Sequence, residues 1–150
     1  MYSFRSGDAS VYQDLFASWE EGTKALSHVK GLQLVLLIQP HPVTNGTNSL
    51  GLEAGRRDEV VSVITAAYTN HEDDEEVQKG MEEIIAKQGG MLKEKGLYSP
   101  YQYLNYADIS QDPIAGYGEA VRERLQVVSR EYDPQGVFQK QVPGGFKVFA

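Results

Sequence analysis

The sequence predicts an α+β fold in which a small antiparallel sheet is covered on one face by helices. Two stretches, 32–39 and 60–68, are rich in apolar and β-branched residues, and three others carry apolar residues at helical spacing. The chain has 150 residues, of which 41% are hydrophobic and 23% charged. This is ordinary globular composition, and we therefore expect a single domain over 1–150.

The first predicted helix covers 10–29. Ser10 is placed to cap this helix, and Gly31 follows its end, as glycine commonly does. The first predicted strand, 32–39, comes next and is stopped by Pro40.

The second predicted strand, 60–68, follows a loop rich in Gly, Asn, Ser and Thr. A run of acidic residues then suits the start of a second helix over 73–88, which Gly89-Gly90 interrupts. After a tyrosine-rich segment, a third helix is predicted from about 114 to 131, and Asp133-Pro134 stops it.

Two strands alone make a poor sheet, because an isolated pair is only marginally stable in water. Either further strands lie in the loops, or a second copy of the chain completes the sheet. We expect the second arrangement, a homodimer, because pairing removes an exposed sheet edge.

Composition excludes several classes of function. The 21 acidic and 14 basic residues give a formal net charge of −7, which argues against a surface that follows nucleic-acid phosphates. The sequence has no cysteine, which excludes disulfides, zinc–thiolate sites, iron–sulfur clusters and a thiol nucleophile. The N-terminal residues lack the apolar core of a signal peptide, and no apolar run is long enough to cross a membrane. We therefore expect a soluble, cytoplasmic protein without a membrane partner.

Two stretches carry more specific information. The first is NSLGL at 48–52. The second is a series over the last 50 residues: YQYLNYAD at 101–108, QDPI at 111–114, YDP at 132–134, GVFQ at 136–139 and PGGFK at 143–147. This series resembles the C-terminal signature of fungal FAD-linked oxidases of the berberine-bridge and hydroxynicotine-oxidase type.

The resemblance implies the substrate-side part of such an oxidase. In that family the sheet forms the ceiling of the active site, and the segment matching Tyr103 and Asn105 passes beside the flavin and the substrate. Family members hold FAD mainly with an N-terminal domain that has a glycine-rich loop and a histidine, sometimes also a cysteine, bonded to the flavin. This sequence has no such loop and no cysteine. We therefore expect neither FAD nor any other cofactor or metal.

The candidate site residues lie on the non-helix face of the sheet and in the tyrosine-rich segment. We predict catalytic roles for His41, Tyr103 and Asn105, in which Tyr or His acts as an acid or hydrogen-bond donor and Asn orients the substrate. His41 stands between prolines at the end of the first predicted strand. Substrate-binding roles are predicted for Gln39, Tyr68, Tyr101 and Tyr106.

The expected function is a flavin-independent cyclase, pericyclase or isomerase of secondary metabolism. Its pocket would fold a reactive hydrophobic small molecule, polyketide- or terpenoid-like, into a conformation ready to react. Positioning alone contributes about 7–11 kcal/mol in ideal intramolecular cases. Two alternatives stay open: a binding module or partner subunit of a separate FAD-linked oxidoreductase, and a truncated gene product without activity.

Overall fold

The chain is divided into two units by its internal contacts. The computed structural model describes residues 1–149. Unit 1 comprises 1–41 and 58–99, and unit 2 comprises 42–57 and 100–149. The single domain expected over 1–150 stays a prediction.

The sheet of unit 1 has four antiparallel strands. They are β1 (Tyr2–Arg5), β2 (Gln33–Pro40), β3 (Glu59–Ala67) and β4 (Tyr98–Ser99). Their order across the sheet is β2-β3-β1-β4, so β2 and β4 form its edges. The two strands predicted from the sequence are confirmed as β2 and β3.

The other two strands, β1 and β4, lie where no strand is predicted from the sequence. β1 has four residues and pairs with β3, with Phe4 opposite Val60. β4 has two residues and pairs with β1. The chain thus supplies the further strands itself, which removes the reason given above for expecting a second copy. The homodimer stays a prediction, and β2 is still an open edge.

Two helices of unit 1 cover one face of this sheet, which confirms the predicted α+β class. They are α1 (Ala9–Ala25) and α2 (Asp74–Glu94), and a short 3-10 turn, His71–Asp73, precedes α2. The helices bury Val60 and Ile64 of β3 in two apolar clusters. Gln88 of α2 is fully buried and donates from Nε2 to the Leu15 carbonyl of α1 at 2.7 Å.

The predicted helix boundaries need three corrections. α1 ends at Ala25, four residues early, and its cap is the side chain of Asp8, which accepts from the backbone N–H of Ser10 at 2.9 Å. α2 runs through Gly89-Gly90 without interruption to Glu94. Glycine only weakens a helix, and the packing of α2 on the sheet outweighs that cost.

Unit 2 contains three helices: α3 (Pro113–Gly116), α4 (Glu119–Tyr132) and α5 (Val137–Lys140). The third predicted helix is therefore broken in two, because Gly118 has φ +88° and ends the helical path between α3 and α4. The core of unit 2 is built on Tyr101, Ile114 and Tyr117, all of which are buried.

Candidate functional site

Three predicted site residues of unit 2 lie together in one turn, 103–106, which we call the tyrosine turn. The N–H of Tyr106 donates to the Tyr103 carbonyl at 2.9 Å and closes the turn. The two phenol rings meet edge to face, with centroids 5.1 Å apart. Asn105 donates from Nδ2 to the phenol oxygen of Tyr103 at 2.9 Å. The turn therefore holds both side chains in one hydrogen-bonded arrangement.

The tyrosine turn packs against a stacked pair of tyrosines. The rings of Tyr101 and Tyr117 lie 5.6 Å apart at an interplanar angle of 22°, and both residues are buried. The N–H of Leu104 donates to the Tyr117 hydroxyl at 3.2 Å, which ties the turn to this pair. Burial raises the pKa of Tyr117, so its phenol stays neutral near pH 7. The buried position of Tyr101 favours support of the turn over direct contact with a substrate.

The NSLGL stretch packs into the same core. The side chain of Asn48 accepts from the N–H groups of Leu50 and Leu52, at 2.9 and 3.1 Å. It also donates to the Leu52 carbonyl at 2.9 Å. These three hydrogen bonds hold both leucines against the cluster of Tyr101, Ile114 and Tyr117. The NSLGL stretch therefore has a structural role, as part of the apolar core of unit 2.

The chemistry available at the tyrosine turn is hydrogen-bond donation beside apolar surface. The phenol oxygen of Tyr103 accepts from Asn105, so the phenol proton can be donated to a substrate carbonyl. Close to the turn in sequence, Ile109 is 90% exposed, and Tyr106 is 40% exposed. The sequence reasoning missed Ile109, although an isolated isoleucine in the polar stretch Asp108–Ser110 was a signal for exposed apolar surface.

In unit 1, His41 and Gln39 lie together at the end of β2. The N–H of His41 donates to the Glu59 carbonyl at 2.9 Å, and Gln39 stands opposite Val61 in the sheet register. Both side chains are half-buried, and strand alternation puts Gln39 on the face away from the helices, as predicted. Burial lowers the pKa of His41, which favours the neutral imidazole at pH 7.

Tyr68 does not join this pair, and its predicted position on the non-helix face is wrong. It follows β3 and packs with Leu34 and Ile64 in a cluster on the helix side of the sheet. Its hydroxyl donates to Oδ1 of Asp74 at 2.6 Å, and this hydrogen bond raises the pKa of Tyr68. In β3, Val61 pairs with Gln39 and Ala67 pairs with Gln33, and these two positions lie about 20 Å apart along the strand. Tyr68 thus lies at the far end of the strand.

The burial of His41 predicts a pH-dependent stability of unit 1. The pKa of His41 is lower in the folded protein than in the unfolded chain, where it is about 6.5. The neutral side chain therefore favours folding above about pH 6.5, and this contribution to stability is lost as the pH falls through the folded pKa. Between pH 7.5 and 5, we expect the midpoint of urea unfolding to fall less in His41→Gln than in the wild type. The matched control is His71→Gln, because the side chain of His71 is fully exposed. Equal pH slopes for His41→Gln and the wild type would contradict the prediction.

Residues 1–149 contain no group of three His, Asp or Glu side chains that could hold a metal ion. Over the same residues, no helix combines the length and the apolar character needed to cross a membrane. The expectation of a chain without a cofactor stays a prediction.

Part of the chain is similar to part of several fungal proteins. It is 42% identical over 104 residues to the FAD-dependent monooxygenase drtC of Aspergillus calidoustus, and 40% identical over 105 residues to the FAD-dependent monooxygenase tpcD of Cochliobolus heterostrophus. These alignments cover 69% and 70% of the chain but 20% of each relative. Over 94% of the chain it is 28% identical to the bifunctional solanapyrone synthase of Alternaria solani, of which 28% is covered.

The chain thus spans about a fifth of the length of the first two relatives. No family model and no solved structure matches it. These similarities confirm that the chain is related to fungal FAD-dependent proteins, as the C-terminal motifs suggested. The berberine-bridge type stays a prediction.

Proposed function

We propose that this chain acts in the biosynthesis of a natural product, where it folds a reactive hydrophobic, polyketide- or terpenoid-like substrate for cyclisation or isomerisation without a flavin. The observation that carries the proposal is the tyrosine turn. A phenol held by an amide donor lies there beside the exposed ring of Tyr106, on a buried aromatic core. This combination suits a substrate that is largely apolar and has one carbonyl group.

The proposed mechanism needs positioning and one hydrogen bond. Tyr103 donates its phenol proton toward a substrate carbonyl, and the amide of Asn105 holds the phenol oxygen in place. Tyr106 and Ile109 offer apolar surface to the remainder of the substrate. Withdrawal of electrons by the polarised carbonyl lowers the barrier to ring closure, while the folded conformation removes much of the entropic cost.

The names of the relatives support a biosynthetic role. One is a bifunctional solanapyrone synthase, and others are FAD-dependent monooxygenases. The first name is that of a synthase, which supports a role in making a product rather than only in oxidising one.

A second candidate is favoured by the same comparisons. Because the relatives are named for FAD and the chain matches only a fifth of drtC and tpcD, the tyrosine turn would instead serve as the substrate side of a flavin site. The chain would then act with an FAD-binding partner, and redox chemistry would come from the cofactor.

One experiment separates the two candidates. The purified chain is incubated with a conjugated polyenone probe, first alone and then with added FAD and a flavoprotein relative. Flavin-free cyclisation or isomerisation in the first incubation is the expected result. Conversion that requires the flavoprotein would contradict it and would support the second candidate.

Replacing Tyr103 with phenylalanine tests the role of the phenol. We expect Tyr103→Phe to lower kcat about 10²-fold with little change in KM, because the lost hydrogen bond acts mainly on the developing charge. The matched control is Tyr132→Phe, since Tyr132 is 79% exposed and lies outside the turn. Unchanged kcat in a Tyr103→Phe protein with wild-type near-UV circular dichroism would refute the assigned role.

A further inference from the structure

The open edge of the sheet in unit 1 carries no charge. This edge is β2, one of the two outer strands, and none of its residues from Gln33 to Pro40 is charged. Val35 and Leu37 point away from the helices and are 54% and 42% exposed. Proteins usually protect such an edge with lysine, a bulge or a covering segment, because its free backbone groups pair readily with another strand.

A groove runs along the same edge on the helix side. It has a volume of about 460 Å³ and lies between α1 and β2. Three aromatic residues of α1, Tyr12, Phe16 and Trp19, line its helical wall. Phe16 is 53% exposed and packs on Trp19 with ring centroids 5.4 Å apart. Apolar surface is therefore exposed on both sides of the β2 edge.

The sequence of β2 is close to a palindrome, QLVLLIQ, centred on Leu36. If two copies of β2 pair antiparallel about a two-fold axis at Leu36, each residue meets one of its own kind. The pairs are Gln33 with Gln39, Leu34 with Ile38, Val35 with Leu37, and Leu36 with Leu36. Two-fold interfaces require this kind of self-complementarity, because the same surface is presented by both subunits.

We propose that β2 is the interface for a second copy of this chain, paired antiparallel about Leu36. The pairing joins two four-stranded sheets into one of eight strands. Opposed residues of antiparallel strands point to the same face, so both α1 helices lie on the same side of the joined sheet. Each helix then faces the other across the axis, and the exposed Phe16 side chains fill the two grooves.

The size and charge of the interface set the expected affinity. Strand pairing and the apolar side chains bury an area of order 1,000 Å², at the low end of specific interfaces, so we expect a reversible dimer with a micromolar Kd. Each copy carries a formal net charge of −7, and the two copies repel each other. Because salt screens this repulsion and the strand itself is uncharged, the dimer should tighten as salt is added.

Sedimentation equilibrium across about 1–200 µM protein measures the association, which depends on concentration by mass action. We expect Leu37→Lys to raise the Kd at least tenfold, because each lysine replaces an apolar contact with Val35 of the other copy and loses part of its hydration there. The matched control, Val127→Lys, changes a residue of α4 that is 57% exposed, and should keep the wild-type Kd. A wild-type monomer at every concentration, or a dimer that Leu37→Lys leaves unchanged, would overturn the proposal.

Disulfide formation tests the register. Because the sequence has no cysteine, an introduced cysteine can pair only with its copy in the other chain. At the axis the two Cα atoms of residue 36 would lie about 4.5–5.5 Å apart, within the range for a disulfide. Leu36→Cys should therefore give a covalent dimer on mild oxidation. Gln33→Cys is the control, since its two copies would lie about 20 Å apart in this register. Faster cross-linking of Gln33→Cys would refute the register, and exclusive pairing with a strand of another polypeptide would refute the second copy as occupant.

Discussion

Replacing Gly51 with alanine is expected to destabilise unit 2 by about 2–6 kcal/mol, the largest effect we predict for that unit. Gly51 has φ +74°, in the left-handed region that side chains disfavour. A Cβ atom added there would lie 2.3 Å from the carbonyl oxygen of Tyr117. That oxygen belongs to the backbone, so a side-chain rotation cannot relieve the clash. Either the NSLGL stretch or the α3 end must move.

The displacement should reach the tyrosine turn, because Tyr117 stacks on Tyr101 and accepts from Leu104. Urea unfolding gives the loss of stability, and near-UV circular dichroism of the tyrosines reports the loss of the stacked arrangement. Gly55→Ala is the matched control. Gly55 lies in the same loop with φ +71°, but an added Cβ there would meet nothing within 4 Å. We expect it to cost about 1 kcal/mol, for conformation alone. Equal losses for both variants would show that the contact with Tyr117 is unimportant.

Replacing Phe4 with alanine is expected to cost about 3–5 kcal/mol of the stability of unit 1. Phe4 is fully buried in β1, and its cluster includes Val11, Leu15 and Leu92. Its ring also meets that of Tyr12 edge to face, with centroids 5.9 Å apart. Truncation therefore leaves a cavity between the sheet and both helices. These neighbours are fixed on α1 and α2, so the cavity cannot readily collapse.

Fluorescence of Trp19, the one tryptophan in the sequence, follows the unfolding of unit 1. Phe138→Ala serves as the control for the same change at an exposed site, because Phe138 is 67% exposed. We expect less than about 1 kcal/mol for that variant. A Phe4→Ala midpoint within error of the Phe138→Ala midpoint would show that β1 is not part of the core of unit 1.

Elements with a long apolar pattern could be predicted from the sequence. β2, β3 and α2 each have enough residues for alternation or helical spacing to be recognised. β1 and β4 could not, because strands of four and two residues are defined by their partners in the sheet rather than by a pattern of their own. The helix over 114–131 was predicted as one because its apolar spacing continues across Gly118, where the backbone turns.

The candidate site was predicted in part. The motif around Tyr103 and Asn105 identified the segment, but the hydrogen bond between their side chains depends on the turn, which the sequence does not reveal. Tyr68 was misplaced because alternation puts it on the same face as Ile64, and the sequence does not reveal which face of β3 the helices cover.

The interleaving of the two units along the chain has a consequence for biosynthesis on the ribosome. Once Ser99 has emerged, every residue of unit 1 is available, whereas the segment 42–57 still lacks the rest of its own unit. Tyr117 lies 18 residues further along the chain, and at ordinary elongation rates these residues take roughly 1–4 s. Until Tyr117 has emerged, the cluster of Tyr101, Ile114 and Tyr117 is incomplete, and Leu50 and Leu52 cannot pack fully against it. During that interval the nascent chain therefore exposes an apolar loop, which is the kind of segment that chaperones bind.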